Sequence, residues 1–470
     1  MESAENRCPG TANDFCGMCR GFHREPPAPH EAEVDDGDAL NEVLLRSPDA
    51  TRPSVGQGNA MTRTASPPKV AAWLSVSVLG FGLTSLLSDL GHEAATSALP
   101  ALLATIGAAP AALGIIEGVS DGVVSFAKLA GGSWADRPRL RKPLCVAGYL
   151  ATGLATGLFA FASSWLLVLG ARVVGWFARG LRGPARDAML ADAVPEEAVG
   201  RAFGFHRSMD TLGGVLGPLV ATVLIAVLPL RSVFLWTMVP GVLAAMSFAI
   251  LVRKQEPKTL TPHLPFWTKM KALPPEFRRF LGAVFLFGIG DFARTLLILL
   301  AVQRFTPTMG GARATIVAMA LYAGHNVLYA AAAYPVGRLA DAVAPRKLLV
   351  VGYALGALTA ILAAFATTSI VYFAVLFSAA GLVLAFEDTL EGTITAKAVD
   401  PALRGTGYGA LAATNGVGDF VSSSLVGILW TAFGARWAFG VAAVFCLAGT
   451  FALVLGNGRR EGGSTVVEAS

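Results

Sequence analysis

One stretch of this chain occurs twice, and the interval between its copies limits what the rest can fold into. The first copy runs from Gly132 through Asp136 and Arg137 to Arg141 and Lys142; the second runs from Gly337 through Asp341 to Arg346 and Lys347. The glycine, the aspartate four residues on and the Arg-Lys pair all recur at 337 − 132 = 205 residues. The same offset takes Ala193-Val194 to Ala398-Val399, Phe203-Gly204 to Tyr408-Gly409, Gly213 to Gly418, Asp210 to Asn415 and Asp121 to Asn326. One offset holding over so long a range marks an internal duplication, with two halves of like fold in parallel.

Around these charged turns the chain is apolar. Hydrophobic residues make up 54% of its 470 residues and charged ones 15%, against about 25% charged in a soluble domain, and the mean hydropathy is +0.58. Runs of roughly 20 apolar residues suit a crossing of about 30 Å of hydrocarbon. They fall near 71–101, 109–134, 143–163, 165–189, 200–228 and 232–252, and again near 277–305, 312–340, 346–366, 368–394, 405–432 and 434–457. The expected fold is an all-α membrane protein: twelve transmembrane helices in two parallel six-helix halves, 69–252 and 277–458, joined by a polar linker over 253–276.

The stretch 1–68 is rich in Pro, Gly and acidic residues without apolar period, so it is expected to be a disordered tail. Cys8, Cys16, Cys19 and His23 give it a faint metal-ligand look that incidental cysteines explain as well, and Met61 is an alternative start. Basic residues cluster at 137–142, 253–279, 346–347 and 459–460, whereas the loops at 105–109, 162–164 and 367–369 carry none. By the positive-inside rule both termini, with the tail over 459–470, are cytoplasmic. A net charge of +5 confined to short turns offers no face for nucleic acid. The expected partners are the lipid bilayer, a small-molecule substrate and protons, with the chain a monomer carrying no metal or cofactor.

Ionisable groups inside a membrane are costly and therefore point to function. Asp89, His92, Glu93 and Thr96 share one face of the first span, and Glu117, Asp121 and Lys128 one face of the second. In the fourth span Arg172, Arg179, Arg182 and Arg186 lie in a stripe of about 80°, at roughly 100° per residue. The 205-residue offset sets Arg182 against Glu387 and Arg186 against Glu391. Two readings stand open: Arg–Glu pairs latching the halves, or an anion site built on the fixed fork of arginine. Asp210 and Asp291 complete the candidate carboxylates, beside His206 and His325. Asp121 and Asp210 stand out because their counterparts are the amides Asn326 and Asn415, as suits a proton site beside a hydrogen-bonding one. A satisfied contact between helices is the structural alternative, and Asp291 and Arg294, three residues apart, can pair with each other.

Twelve spans in two parallel halves, with Gly132…Asp136-Arg137…Arg141-Lys142 between the second and third, resemble the major facilitator superfamily over residues 70–458. Arg139 stands where that family commonly has Gly, though Pro138 can still enforce the turn. The resemblance implies alternating access, in which the halves rock about a central site. It makes both charged turns a gate, with Asp136 and Asp341 meeting a helix N-terminus or an arginine; fixing topology is the simpler role. Gly213, Gly217 and Pro218 match part of a motif that in this family leans towards exporters. The resulting expectation is a secondary active transporter in a bacterial plasma membrane, exporting a small solute by proton antiport. Uptake or exchange of an organic anion, and ligand sensing without transport, are the alternatives. No nucleophile–base pair or phosphate-cradling loop suggests an enzyme.

Overall fold

The computed structural model describes residues 74–135, 137–195, 198–253, 270–400 and 403–461. The N-terminal stretch with its cysteines, Asp136, residues 254–269 of the linker and residues 462–470 lie outside them. Among the described residues all regular structure is helical. The first half holds α1 (Val76–Thr105), α2 (Pro110–Ala135), α3 (Pro138–Leu158), α4 (Trp165–Asp192), α5 (Val199–Val227) and α6 (Leu230–Leu251). The second holds α7 (Pro275–Gly288), α8 (Arg294–Met309), α9 (Gly311–Ala342), α10 (Pro345–Ala364), α11 (Ile370–Ala398), α12 (Arg404–Phe433) and α13 (Ala435–Glu461).

The starts and stops follow local chemistry. Ser75 caps α1 by accepting from Val78 N at 3.3 Å, and Ser369 caps α11 through Tyr372 N at 3.4 Å. Pro138 and Pro345 open α3 and α10, where a missing N–H costs nothing. Gly310 and Gly434, at φ of 77° and 88°, turn the chain between consecutive helices in a single residue. The charged turns are shorter than the sequence implies. Helix α2 runs to Ala135 and α3 starts at Pro138, so Arg139, Arg141 and Lys142 stand within the first two turns of a helix rather than in a loop.

The seventh span departs from expectation. Instead of one helix over 277–305, the chain forms α7 and α8 with a non-helical break at 289–293. Gly290 permits it: a Cβ there would lie 2.7 Å from the backbone N of Cys446 on α13. The freed backbone groups find partners, since Gly290 N bonds back to Phe287 O at 2.8 Å and Ala293 N donates to Ser423 Oγ at 3.0 Å. Irregular backbone at membrane depth persists only where protein buries it or a cavity borders it.

Nine of the described helices are long and apolar enough to cross a membrane. The others are α7 and α8, of 14 and 16 residues, and α1 and α4, which carry the polar groups discussed below. Large apolar side chains such as Val227, Ile250, Val371 and Trp437 are about 70% exposed on the outer surface. Water would penalise such a surface and lipid does not.

The duplication is repeated in the packing. In the first half α1 packs on α5 and α6, α2 on α4, and α3 on α4 and α6; in the second α7 packs on α12 and α13, α9 on α11, and α10 on α11 and α13. With α7–α8 as one span, these are the same pairs shifted by six spans. Two seams join the halves, α2 on α12 and α5 on α9, and they too exchange under that shift.

The apolar core shows which end of the bundle is shut. One cluster holds Leu99, Phe159, Phe234, Phe305, Phe373 and Phe439, uniting both halves at the end away from the basic loops. At the basic-loop end the core splits in two: Phe81, Tyr149 and Phe248 pack within the first half, and Phe277, Phe287 and Tyr353 within the second. The apolar core is thus shared by the halves at one end and divided between them at the other.

Candidate functional site

Between the halves lies a cavity of about 760 Å³. It begins at mid-depth, beside Thr96, Glu117 and Thr295, and its lining continues past Lys128, Arg207 and Tyr408 towards the basic-loop end. Eight carboxylates border it against four Lys and Arg side chains.

The innermost wall belongs to the first half. Arg172 is 2% exposed, forms an ion pair with Glu117, donates to Thr96 Oγ1 at 3.3 Å and lies 3.9 Å above the centre of the Trp176 ring. His92 packs against the same Trp176, with ring centres 4.4 Å apart. Arginine tolerates such burial because its charge is delocalised and it stacks on aromatics. Glu117 Oε1 and His92 Nδ1 have no hydrogen-bond partner among the described residues. Glu93 accepts from Tyr322 OH at 3.0 Å, which ties α1 to α9 across the halves.

The opposite wall contains the break. Arg294 pairs with Asp291 at 2.6 Å, as their spacing predicts, and reaches Glu387 at 3.9 Å. Glu391 accepts from Tyr353 OH at 2.6 Å and Asn415 Nδ2 at 2.7 Å. Nearer the mouth, Asp388 takes Tyr329 OH at 2.7 Å and faces Arg207 of the other half at 3.7 Å. Asp121 of α2 and Asp419 of α12 border the cavity within electrostatic reach of each other.

The arginine stripe is not the unit the sequence suggested. Only Arg172 borders the cavity. Arg179 pairs with Asp89 at 3.1 Å and Arg186 with Asp187 at 2.9 Å. Arg182 donates to Ser88, Thr152 and the Gly148 carbonyl at 2.9–3.2 Å and sits 3.8 Å over Tyr149. No Arg–Glu latch joins the halves through these residues, because Arg182 and Arg186 are engaged within the first half and Glu387 and Glu391 within the second. The repeat explains why. Subtracting 205 from 294 and 387 gives 89 and 182, so Arg294–Glu387 occupies the place of Asp89 beside Arg182, with the charges exchanged. Each half neutralises its own first and fourth spans.

Asp89 and Asp210 accordingly do not border the cavity; Asp210 accepts from Ser85 and lies 3.7 Å from Arg207. Asn326 donates to the Gly214 carbonyl of α5 at 2.7 Å. That carbonyl is available because its helical donor would be the residue four positions on, and Pro218 has no N–H. Gly213 and Gly217 have a packing role. A Cβ on either would lie within 2.8 Å of α1 backbone, at Leu86 O or Leu90 O, so their absence of side chain lets α5 close on the helix bearing Asp89 and Glu93.

At the charged turns Arg141 pairs with Asp192 at 2.8 Å and Lys142 donates to Ala249 O at 2.8 Å, fixing α3 to α4 and α6. Arg137 and Lys347 are exposed, Arg346 is half-buried and partnered, and Gly337 lies beside Thr389. Gly132 and Asp341 fall inside α2 and α9 without a described side-chain environment, and the expectation for Asp136 lies outside the described residues.

Several cavity residues were not singled out from sequence: Trp176, Arg207, Tyr322, Asp388 and Asp419. Helical spacing could have found two of them, since Trp176 follows Arg172 by four residues and Asp419 follows Asn415 by four.

The family model described as Major Facilitator Superfamily matches residues 81–323 and 286–468. An MFS-type transporter of Methanocaldococcus jannaschii is 28% identical over 60% of this chain and 70% of its own. A Na(+), Li(+), K(+)/H(+) antiporter of Planococcus maritimus is 37% identical over a shorter stretch, 21% of this chain and 24% of its own. Among solved structures, a bacterial homolog of the human lysosomal transporter Spinster, inward-facing and unoccupied, superposes with a TM-score of 0.66 at 17% identity, covering 81% of this chain and 96% of that one.

Proposed function

Given that this chain belongs to the major facilitator superfamily, we propose that it is a secondary active transporter that expels a small solute in exchange for protons. The observation that carries this reading is a mid-depth cavity lined by both halves, shut at one end by a shared apolar core and unshared at the other. Rocking the halves about α2–α12 and α5–α9 would carry such a cavity from one side to the other.

With the basic loops in the cytoplasm, the separated end faces inward. The partial Gly213–Pro218 motif and the short relative named as a cation/H⁺ antiporter support export. Proton coupling follows from eight carboxylates against four fixed cations, since uncompensated charge at membrane depth costs several kcal/mol and invites protons. The setting is a bacterial plasma membrane, the working unit a monomer, and both termini cytoplasmic.

Exchange of organic anions is the weaker rival, because each arginine of the α4 stripe has a partner within the protein. Ligand sensing is the rival of another class. Purified protein in liposomes holding a pH dye and acidified inside tests all three. Outward release of protons when a solute is added outside supports antiport; solute flux without proton movement refutes the coupling. Binding without flux under any gradient would leave the sensor.

A further inference from the structure

The two seams that join the halves are related by the repeat, and they differ in one respect that bears on the solute. In the α5–α9 seam the halves are bonded by Asn326 Nδ2 donating to the Gly214 carbonyl at 2.7 Å. Adding 205 to 214 gives 419, and subtracting 205 from 326 gives 121. The α2–α12 seam therefore holds Asp121 where the other holds its amide donor, and adds the Asp419 side chain where the other has Gly214. The helices are in close register there, for a Cβ on Gly122 would lie 3.5 Å from Phe420 Cβ. Two ionised carboxylates only accept hydrogen bonds and cannot bond each other.

We infer that the transported solute is an organic cation, held across the α2–α12 seam by Asp121 and Asp419 with Glu117 behind them; this rests on the transporter reading above. Asp419 makes no hydrogen bond or ion pair with any described residue and borders the cavity. One turn before Asp121, Glu117 is 4% exposed, and its Oε1 lacks any hydrogen-bond partner although its other oxygen holds Arg172. The cationic groups near the pair are committed elsewhere: Arg172 to Glu117, Arg294 to Asp291. Lys128 is the exception, and it stands two turns nearer the mouth. A cation in the seam supplies what Asn326 supplies in the other, a donor between the halves.

The cation is organic because the cavity is large and Trp176, Phe292, Tyr322 and Tyr408 border it, aromatic faces that suit an organic cation. Protons compete for the same pair, which is faced by Glu117 and Lys128 on α2, Arg172 on α4, Asp291 and Arg294 at the break, and Glu391 on α11.

Equilibrium binding of tetraphenylphosphonium and of tetraphenylborate, matched in shape and opposite in charge, to the full chain in detergent tests this. Tetraphenylphosphonium should bind better than tetraphenylborate at about pH 8 and be released as the carboxylates protonate, towards about pH 4. Asp419→Asn and Asp121→Asn should each weaken it by roughly tenfold or more, with melting temperatures showing that both variants fold. Equal or tighter binding of the anion, no binding of the cation, or folded variants that bind as wild type overturn the inference. Proteoliposome flux separates this from the wider reading. Transport of the anion alone removes the cation and keeps the transporter, whereas cation binding with no flux removes the transporter and keeps the site.

Discussion

The ion pair between Arg172 and Glu117 offers a quantitative test of how the cavity's inner wall is held. Both side chains are nearly inaccessible, at 2% and 5%. Replacing Arg172 with Met keeps much of the volume but strands Glu117, and breaking a buried pair this way costs about 3–5 kcal/mol. The lost stacking on Trp176 adds about 0.5–2 kcal/mol, and the lost bond to Thr96 about 0.5–1.5 kcal/mol. Arg172→Met should therefore destabilise by roughly 4–8 kcal/mol. Glu117→Gln leaves the guanidinium an amide oxygen to bond and should cost about 2–3 kcal/mol. In the double variant no charge is stranded; only the stacking and hydrogen-bond losses remain, about 1–3 kcal/mol. The cycle should thus show favourable coupling of about 3 kcal/mol or more. Unfolding in mixed micelles by titration with a denaturing detergent, followed by tryptophan fluorescence, measures all four corners. Additive single and double effects would refute the claim that the pair is a mutually dependent, desolvated unit.

Other consequences can be checked separately. Arg182→Met removes three hydrogen bonds and a stacking contact away from the cavity, so it should lower the melting temperature while leaving solute affinity unchanged; altered affinity with intact folding would return Arg182 to the binding site. Tyr322→Phe deletes the hydroxyl that reaches Glu93 but keeps the ring stacked near His325, and the expected loss is about 1–3 kcal/mol in the same unfolding assay. Pro218→Ala restores an N–H to the Gly214 carbonyl, in competition with Asn326. It should weaken the α5–α9 seam by about 0.5–1.5 kcal/mol and make a further Asn326→Ala change nearly silent; an undiminished effect of Asn326→Ala would count against this account. Finally, a Cβ at Gly427 would come within 2.9 Å of Gly114 Cα and the Pro110 carbonyl, backbone atoms that cannot step aside. Gly427→Val should part the halves at the joined end, read as longer spin-label distances between the loops at 106–109 and 366–369.

Sequence alone determined the architecture. Apolar runs of membrane-spanning length, the 205-residue repeat and the separation of basic from neutral loops are one-dimensional properties, and a helix in lipid has few ways to satisfy its backbone. The Asp291–Arg294 pair was legible because residues three apart stay within side-chain reach, here across the break that ends before Arg294. What the repeat could not reveal was who pairs with whom. Arg182 and Glu387 occupy equivalent positions, but equivalence under a pseudo-twofold axis places residues in corresponding sites, not in contact. Each found its partner on the neighbouring span of its own half, at Ser88 and Thr152 and at Arg294. The break at 289–293 was likewise hidden, because it depends on α13 crossing over Gly290 and on Ser423 answering the freed Ala293 amide. Which end is shut, and that Asp121 and Asp419 border one cavity from the two sides of a seam, are facts about how distant helices pack. Periodicity places a residue on a face of its helix; only the tertiary structure decides what that face meets.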